Sequence, residues 1–210
     1  GDGLVTRPYY ADDLVTLYHG DCRDITEWLS ADVLVTDPPY GIGWSKGVFQ
    51  GKPSHSGIVG DRDTTVRDLA LKMWAPRPAV VFGSLYTPFP AGLQQVLIWQ
   101  KPPNAGLFGS TTGFRRDIEA VFLTNSWPQR PATLSSVLHA GARSAGNPSS
   151  AQGQTGHPHA KPVDLMEQLI SAAPSGVVAD PFAGSGSTLI AAKRQGRHAI
   201  GVEIDEHYCE

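Results

Sequence analysis

Val33-Leu34-Val35-Thr36-Asp37-Pro38-Pro39-Tyr40 is the stretch on which the reading of this chain turns. Four apolar or β-branched residues in unbroken succession have the pattern of a strand buried on both faces, as in a parallel sheet covered by helices. Proline lacks a backbone N–H, so the strand stops there, and Asp37, Pro38, Pro39 and Tyr40 are carried at its C-terminal edge, where open α/β sheets bind ligands. Pro39 also restricts Pro38 to an extended conformation, which leaves the Pro38 carbonyl rigid and without a sheet partner. A carboxylate, a carbonyl and a ring suit a planar ligand with an exocyclic NH2: the two acceptors take its two hydrogens while Tyr40 stacks on its face. The plainer alternative is a Pro-Pro turn in which Asp37 is a turn residue and Tyr40 covers the core.

A second segment bears on that choice. Val177-Val178-Ala179-Asp180 reads as a strand, Pro181 to Ser187 as a glycine-rich turn, Thr188 to Gln195 as a helix, and His198 to Val202 as a further strand ending at Glu203. The unit is βαβ. Its turn lacks the Gly-Lys-Ser/Thr of a P-loop, and Leu189 stands where a dinucleotide fingerprint has glycine. Asp180 and Glu203 would repel a pyrophosphate, but they suit a cation or the hydroxyls of a ribose. S-adenosylmethionine has both, and glycines let the backbone approach it closely.

Taken together, these segments resemble the N6-adenine/N4-cytosine DNA methyltransferases, in the permuted order that places the DPPY block before the FxGxG block. Leu17-Tyr18-His19-Gly20-Asp21-Cys22 is similar to the family's segment before the DPPY strand, and Thr36 to Gly41 to its catalytic block. His157-Pro158-His159-Ala160-Lys161-Pro162 resembles its HPxxKP block, and Asp180 to Thr188 its cofactor block. The resemblance implies a Rossmann-like, doubly wound α/β fold with a seven-stranded, mostly parallel sheet. It assigns catalysis to Asp37, Pro38, Pro39 and Tyr40. S-adenosylmethionine falls to Asp21, Cys22, Lys161, Asp180, Phe182, Ala183, Gly184, Ser185, Gly186, Ser187, Thr188 and Glu203. The implied substrate is double-stranded DNA. Asp at position 37 favours adenine N6 over cytosine N4, although both amines need the same acceptors. A homodimer and a cognate restriction enzyme are the partners the family suggests.

The remaining pattern agrees with one catalytic domain over 1–210. At 210 residues and 40% hydrophobic the chain can build a sizeable core but not two full domains. Strands are expected near Leu14–Tyr18, Val33–Thr36, Ala79–Phe82, Val96–Trp99 and Ile118–Leu123, besides the two of the βαβ unit. Helices are expected near Asp24–Leu29, Thr64–Met73 and Val163–Ala173. No apolar run approaches the ~20 residues that span a bilayer, and no signal-peptide pattern opens the chain, so no membrane association and a cytoplasmic location are expected. Cys22 and Cys209 imply neither a disulfide scaffold nor a zinc site.

Gly41–Asp63 and Asn125–Gly156 read as long loops. The family places target recognition before the HPxxKP block, which makes 125–156 the candidate recognition loop, with a flexible linker as the alternative. A net charge of −3 and a pI near 6.2 argue against a broad basic surface, so DNA contacts must be local. Lys46, Arg115, Arg116 and Arg130 are the candidates, with Lys52 and Lys101 behind them. His55, His139, His157 and His159 match no zinc spacing, and no metal is expected. Two other classes stay open: methylation of RNA or of a protein amide by the same fold, against which Asp37 weighs because that version carries Asn, and a catalytically silent cofactor- or DNA-binding module.

Overall fold

The computed structural model describes residues 6–42, 61–103, 112–140 and 160–210. Its strands are β1 (Tyr10–Ala11), β2 (Val15–His19), β3 (Val33–Thr36), β4 (Ala79–Gly83), β5 (Leu93–Gln100), β6 (Ile118–Thr124), β7 (Val137–His139), β8 (Val178–Asp180) and β9 (Ala199–Glu203). The α-helices among the described residues are α1 (Thr65–Trp74), α2 (Val163–Ala172), α3 (Ser187–Arg194) and the short α4 (Glu206–Cys209). All nine strands form one sheet in the order β1-β2-β9-β8-β3-β4-β6-β5-β7. Neighbours from β2 to β4 are parallel; β1 on β2, and β6 on both β4 and β5, are antiparallel. Among the described residues no helix is long and apolar enough to cross a membrane.

The continuous apolar runs arise because the central strands are covered on both faces. Val33, Val35, Val80 and Phe82 pack with Leu165, Met166, Leu169 and Ile170 of α2 and with Leu189 of α3. The alternate residues Leu34, Ala79, Val81 and Phe122 pack with Trp28, Ala70, Leu71 and Trp74. Side chains alternate between the two layers with the period of two that a strand imposes. In α1, Arg67, Ala70, Leu71 and Trp74 form one buried stripe at helical spacing.

Three departures from the sequence pattern have local causes. The helix expected at Asp24–Leu29 is a 3₁₀ turn at Glu27–Ser30. Trp28 is fully buried, stacks on Trp74 at 5.9 Å and donates its indole N–H to the Cys22 carbonyl at 2.9 Å, which holds the segment in a tight turn. The β5 strand starts earlier than expected because Gln94 and Gln95, both exposed, hide its beginning. The described residues form nine strands where seven are expected: β1 is a two-residue edge strand with both residues exposed, and β7 lies within the expected recognition loop, parallel to β5. Neither has an apolar run to announce it. Residues 141–156 of that loop lie outside the described residues.

Gly83, the last residue of β4, lies under Phe122, which is fully buried in β6. A Cβ at position 83 would stand 2.6 Å from the Phe122 ring. Gly83→Ala is therefore expected to cost about 1–3 kcal/mol through overpacking, and Phe122→Leu should relieve most of that penalty. Urea unfolding of the two single variants and the double variant measures the coupling; simple additivity would contradict the packing described.

Candidate active site

Parallel pairing aligns the C-terminal ends of β2, β9, β8 and β3 along one edge of the sheet. This edge carries, in order, Asp21 and Cys22 after β2, Glu203 at the end of β9, the glycine turn after β8, and Asp37 to Tyr40 after β3. The antiparallel β6 enters from the same edge, so Glu119 near its start and Lys101 just past β5 come to the same side. Pairing of Val33 with Val178 and of Leu34 with Ala179 sets the catalytic block beside the glycine turn. A hydrogen bond from Thr36 Oγ1 to Asp180 Oδ1 at 2.7 Å, between residues 144 apart, fastens the junction.

Four backbone amides of the glycine turn have partners, two of them on β9. The N–H of Phe182 donates to Asp180, that of Ala183 to the Val202 carbonyl, that of Gly184 to Glu203 Oε2 and that of Gly186 to the Ala183 carbonyl. Gly184 and Gly186 have φ of 50° and 76°, the left-handed region that glycine enters without strain. With these four amides occupied and carboxylates nearby, the turn is poorly suited to a phosphate. Ser187 and Thr188 are buried at the start of α3, and the Ser185 and Ser187 hydroxyls lie 3.3 Å apart. Phe182 packs against the layer containing Trp28, and Ala183 against the α2 layer.

Glu203 is buried and accepts from Gly184 N at 2.7 Å and Asp205 N at 2.8 Å, while burial raises its carboxyl. Asp180, expected among the cofactor residues, stands behind the turn. It is 2% exposed, turns inward to Thr36, Thr188 and the Phe182 N–H, and is raised by burial to about 6. Its work is to join β3 to the turn. Asp21 is held by the backbone and side chain of Arg23, and Cys22 is buried, its thiol pushed up to about 12 by desolvation.

Around Asp37 the structure assembles a cluster that the sequence reading divided or missed. Lys161, expected with the cofactor residues, places its ammonium 2.9 Å from Asp37 Oδ2, 2.6 Å from Glu119 Oε1 and 3.0 Å from the Tyr40 hydroxyl. The Tyr40 hydroxyl bonds Asp37 Oδ1 at 2.7 Å and Glu119 Oε1. Tyr40 thus acts here through its hydroxyl, which the sequence reading did not use. Lys101 pairs with Glu119 Oε2 at 2.8 Å. None of the described backbone hydrogen bonds uses the Pro38 carbonyl. Gly41, at φ 73°, closes the turn by donating to Asp61 at 2.8 Å, and a Cβ there would strike the Asp63 backbone at 2.6 Å.

Burial pushes the Asp37 carboxyl above its usual range, with Lys161 opposing and Glu119 adding to the rise. Burial acts the same way on Glu119, but Lys161 and Lys101 outweigh it and hold that carboxyl at about 2. For Lys161 burial disfavours the charge, yet Asp37 and Glu119 overcome it, so the ammonium stays protonated. Desolvation and the same two carboxylates keep the Tyr40 phenol protonated. Glu119 had one visible signal, a lone acid inside the otherwise apolar run Ile118 to Leu123.

The proposed DNA contacts separate. Arg115 and Arg116 precede β6 and lie on the catalytic edge, Arg115 paired with Asp117 at 2.8 Å. Arg130 donates to the Ala172 carbonyl at the C-terminal end of α2, which leads into the start of β8 on the opposite edge, so it does not join that group. Lys46 and Lys52, like His55, His157 and His159, lie outside the described residues. Among the described residues no group of three or more metal-ligating side chains forms.

Residues 90–210, more than half of the chain, match the N6/N4 methyltransferase family described as DNA methylase. The chain belongs to this DNA methylase family. It is similar to type II methyltransferase M.ScaI of Streptomyces caespitosus, with 25% identity over an alignment covering 97% of this chain and 82% of that protein. Among solved structures, the M1.HpyAVI–SAM complex aligns with a TM-score of 0.61 and 21% identity, covering 93% of this chain and 97% of that one. The cytosine-N4-specific PvuII DNA methyltransferase aligns with a TM-score of 0.65 and 16% identity, covering 97% of this methylase chain and 86% of that one. These structural likenesses support the α/β methyltransferase fold.

The inward role of Asp180 has a pH signature. Its folded pKa of about 6 lies above the ordinary carboxylate value, so the native state holds the proton more tightly. The stability this group contributes is complete below about pH 4 and is lost as pH rises through about 6, a change of about 3 kcal/mol. Asp180→Asn keeps an acceptor for Thr36 and Phe182 but cannot ionise. Relative to it, wild type should lose stability between pH 4.5 and 7 in urea unfolding; the opposite trend would contradict this role.

Proposed function

We propose that this methylase transfers the methyl group of S-adenosylmethionine to the exocyclic amine of a base in double-stranded DNA, with adenine N6 as the leading target. The observation that carries the reading is the position of Asp37 and the rigid Pro38 carbonyl, at the end of a strand paired directly with the one that leads into the glycine turn. The residues fit the cofactor: glycines that admit close approach, carboxylates near the turn that disfavour a phosphate, and Glu203 and then Asp21 in succession on the β9 side of the turn for hydroxyl or cationic groups. The M1.HpyAVI–SAM complex supports the same cofactor.

S-adenosylmethionine, when bound, supplies an electrophilic methyl group on a cationic sulfur. An aromatic amine is a weak nucleophile because its lone pair is delocalised into the ring. Hydrogen bonds from the NH2 to Asp37 and to the Pro38 carbonyl favour a pyramidal nitrogen with its lone pair directed at the methyl group. Positive charge grows on that nitrogen, and Asp37 stabilises it and takes the proton that then leaves. A base inside a duplex cannot reach this edge, so it must be flipped out, with Tyr40 as a wall of its pocket. Arg115 and Arg116 stand on the same edge to meet backbone phosphates.

Asp at position 37 supports adenine, whereas the likeness to a cytosine-N4-specific enzyme keeps cytosine as the second reading. The test is methyl transfer to genomic DNA lacking prior methylation, followed by nucleoside mass spectrometry. N6-methyladenine is the expected product. N4-methylcytosine would keep the mechanism and change the base, and the absence of any modified nucleoside would overturn the reading.

A further inference from the structure

Glu119 lies outside every block that carries the family resemblance, yet its side chain is only 10% exposed and stands beside the proposed acceptor. Its two oxygens are divided between Lys161 at 2.6 Å and Lys101 at 2.8 Å, and the Tyr40 hydroxyl also bonds it. Lys161 has only three N–H donors. All three are directed within the cluster, to Asp37, Glu119 and Tyr40. The ammonium is therefore fixed by three parts of the chain: its own segment before α2, β6, and the turn after β3.

An ammonium in contact with Asp37 presents an electrostatic difficulty. By itself it would cancel the negative charge that Asp37 needs toward an amine becoming cationic. A second carboxylate on the same ammonium removes the difficulty. Lys101 does not reverse this, because it sits on the far oxygen of Glu119 and is 28% exposed, where solvent screens it.

We propose that Glu119 is a positioning residue for methyl transfer: it absorbs the charge of Lys161, so that Lys161 orients Asp37 without neutralising it. The inference rests on the methyltransferase reading of this site. Asp37 is faced by Lys161 from the segment entering α2, by Glu119 from β6 with Lys101 behind it, by Tyr40 from its own turn and by Asp180 from β8. Removing Glu119 leaves Lys161 to Asp37 alone and favours the ionised carboxylate. Removing Lys161 leaves Asp37 and Glu119 as two like charges and favours the protonated form.

The test compares pH profiles of kcat, at saturating cofactor and DNA, for wild type, Glu119→Gln and Lys161→Met, with cofactor affinity and melting temperature as controls. Glu119→Gln should lower kcat about tenfold at unchanged KM for DNA and move the acid limb to lower pH. Lys161→Met should move the acid limb to higher pH. A purely structural role would not give shifts of opposite sign. Wild-type kcat in Glu119→Gln, limbs moving the same way, or a change confined to KM would each overturn the proposal. Should Glu119→Gln fail to fold, the Lys161→Met profile decides, and a limb that stays or falls overturns it. An inactive wild-type enzyme would instead contradict the methyltransferase reading itself.

Discussion

The site depends on the parallel pairing of β3 with β8, fastened where Thr36 donates to Asp180. Each strand ends in a turn that performs half of the proposed chemistry, the Pro-Pro turn for the amine and the glycine turn for the cofactor. Neither turn is useful without the other. The two strands are far apart in sequence, and the intervening chain returns through α2 to bring them side by side. Burying the Asp180 carboxylate at the junction has an electrostatic cost, visible in its raised pKa. The hydrogen bonds from Thr36, Thr188 and Phe182 offset part of it, and the two turns gain a fixed relation.

The same edge gathers carboxylates on strands that are otherwise apolar. Asp21, Glu203 and Asp37 stand at the ends of β2, β9 and β3, with the glycine turn of β8 between the last two, an arrangement suited to a cationic ligand and to an amine that becomes cationic. With a net charge of −3, the protein must meet a polyanion through a few local cations. Arg115 and Arg116 enter from the side of β6, next to the cluster of Lys101, Glu119 and Lys161. Positive charge at the site is thus divided between arginines near the edge of the sheet and lysines committed to carboxylates within it.

What was legible in the sequence was local. The apolar run before Asp37, the Pro-Pro turn and the glycine turn each declare themselves within ten residues, and together they gave the central strands and the edge that binds ligands. The weak edge strands β1 and β7 lacked a pattern because few of their side chains enter the core. Lys161 and Glu119 illustrate a different limit. Each is placed by neighbours remote in sequence, so blocks taken one at a time reveal neither the contact of Lys161 with Asp37 nor the place of Glu119. Asp180 ends a strand, as a ligand residue would, and nothing local in the sequence announces the hydrogen bond from Thr36 that holds its side chain inward. Arg130 lies away from Arg115 and Arg116 because β6 runs antiparallel and delivers the following chain to the opposite edge.

The central claim is a division of labour across the β3–β8 junction, with the amine on one side and the cofactor on the other. Its most direct test is Asp37→Ala, measured for single-turnover methyl transfer and, separately, for S-adenosylmethionine affinity by calorimetry. The account predicts that transfer falls by about a thousandfold or more while cofactor affinity stays near that of the wild type. Near-normal turnover, or loss of cofactor binding together with activity, would contradict it.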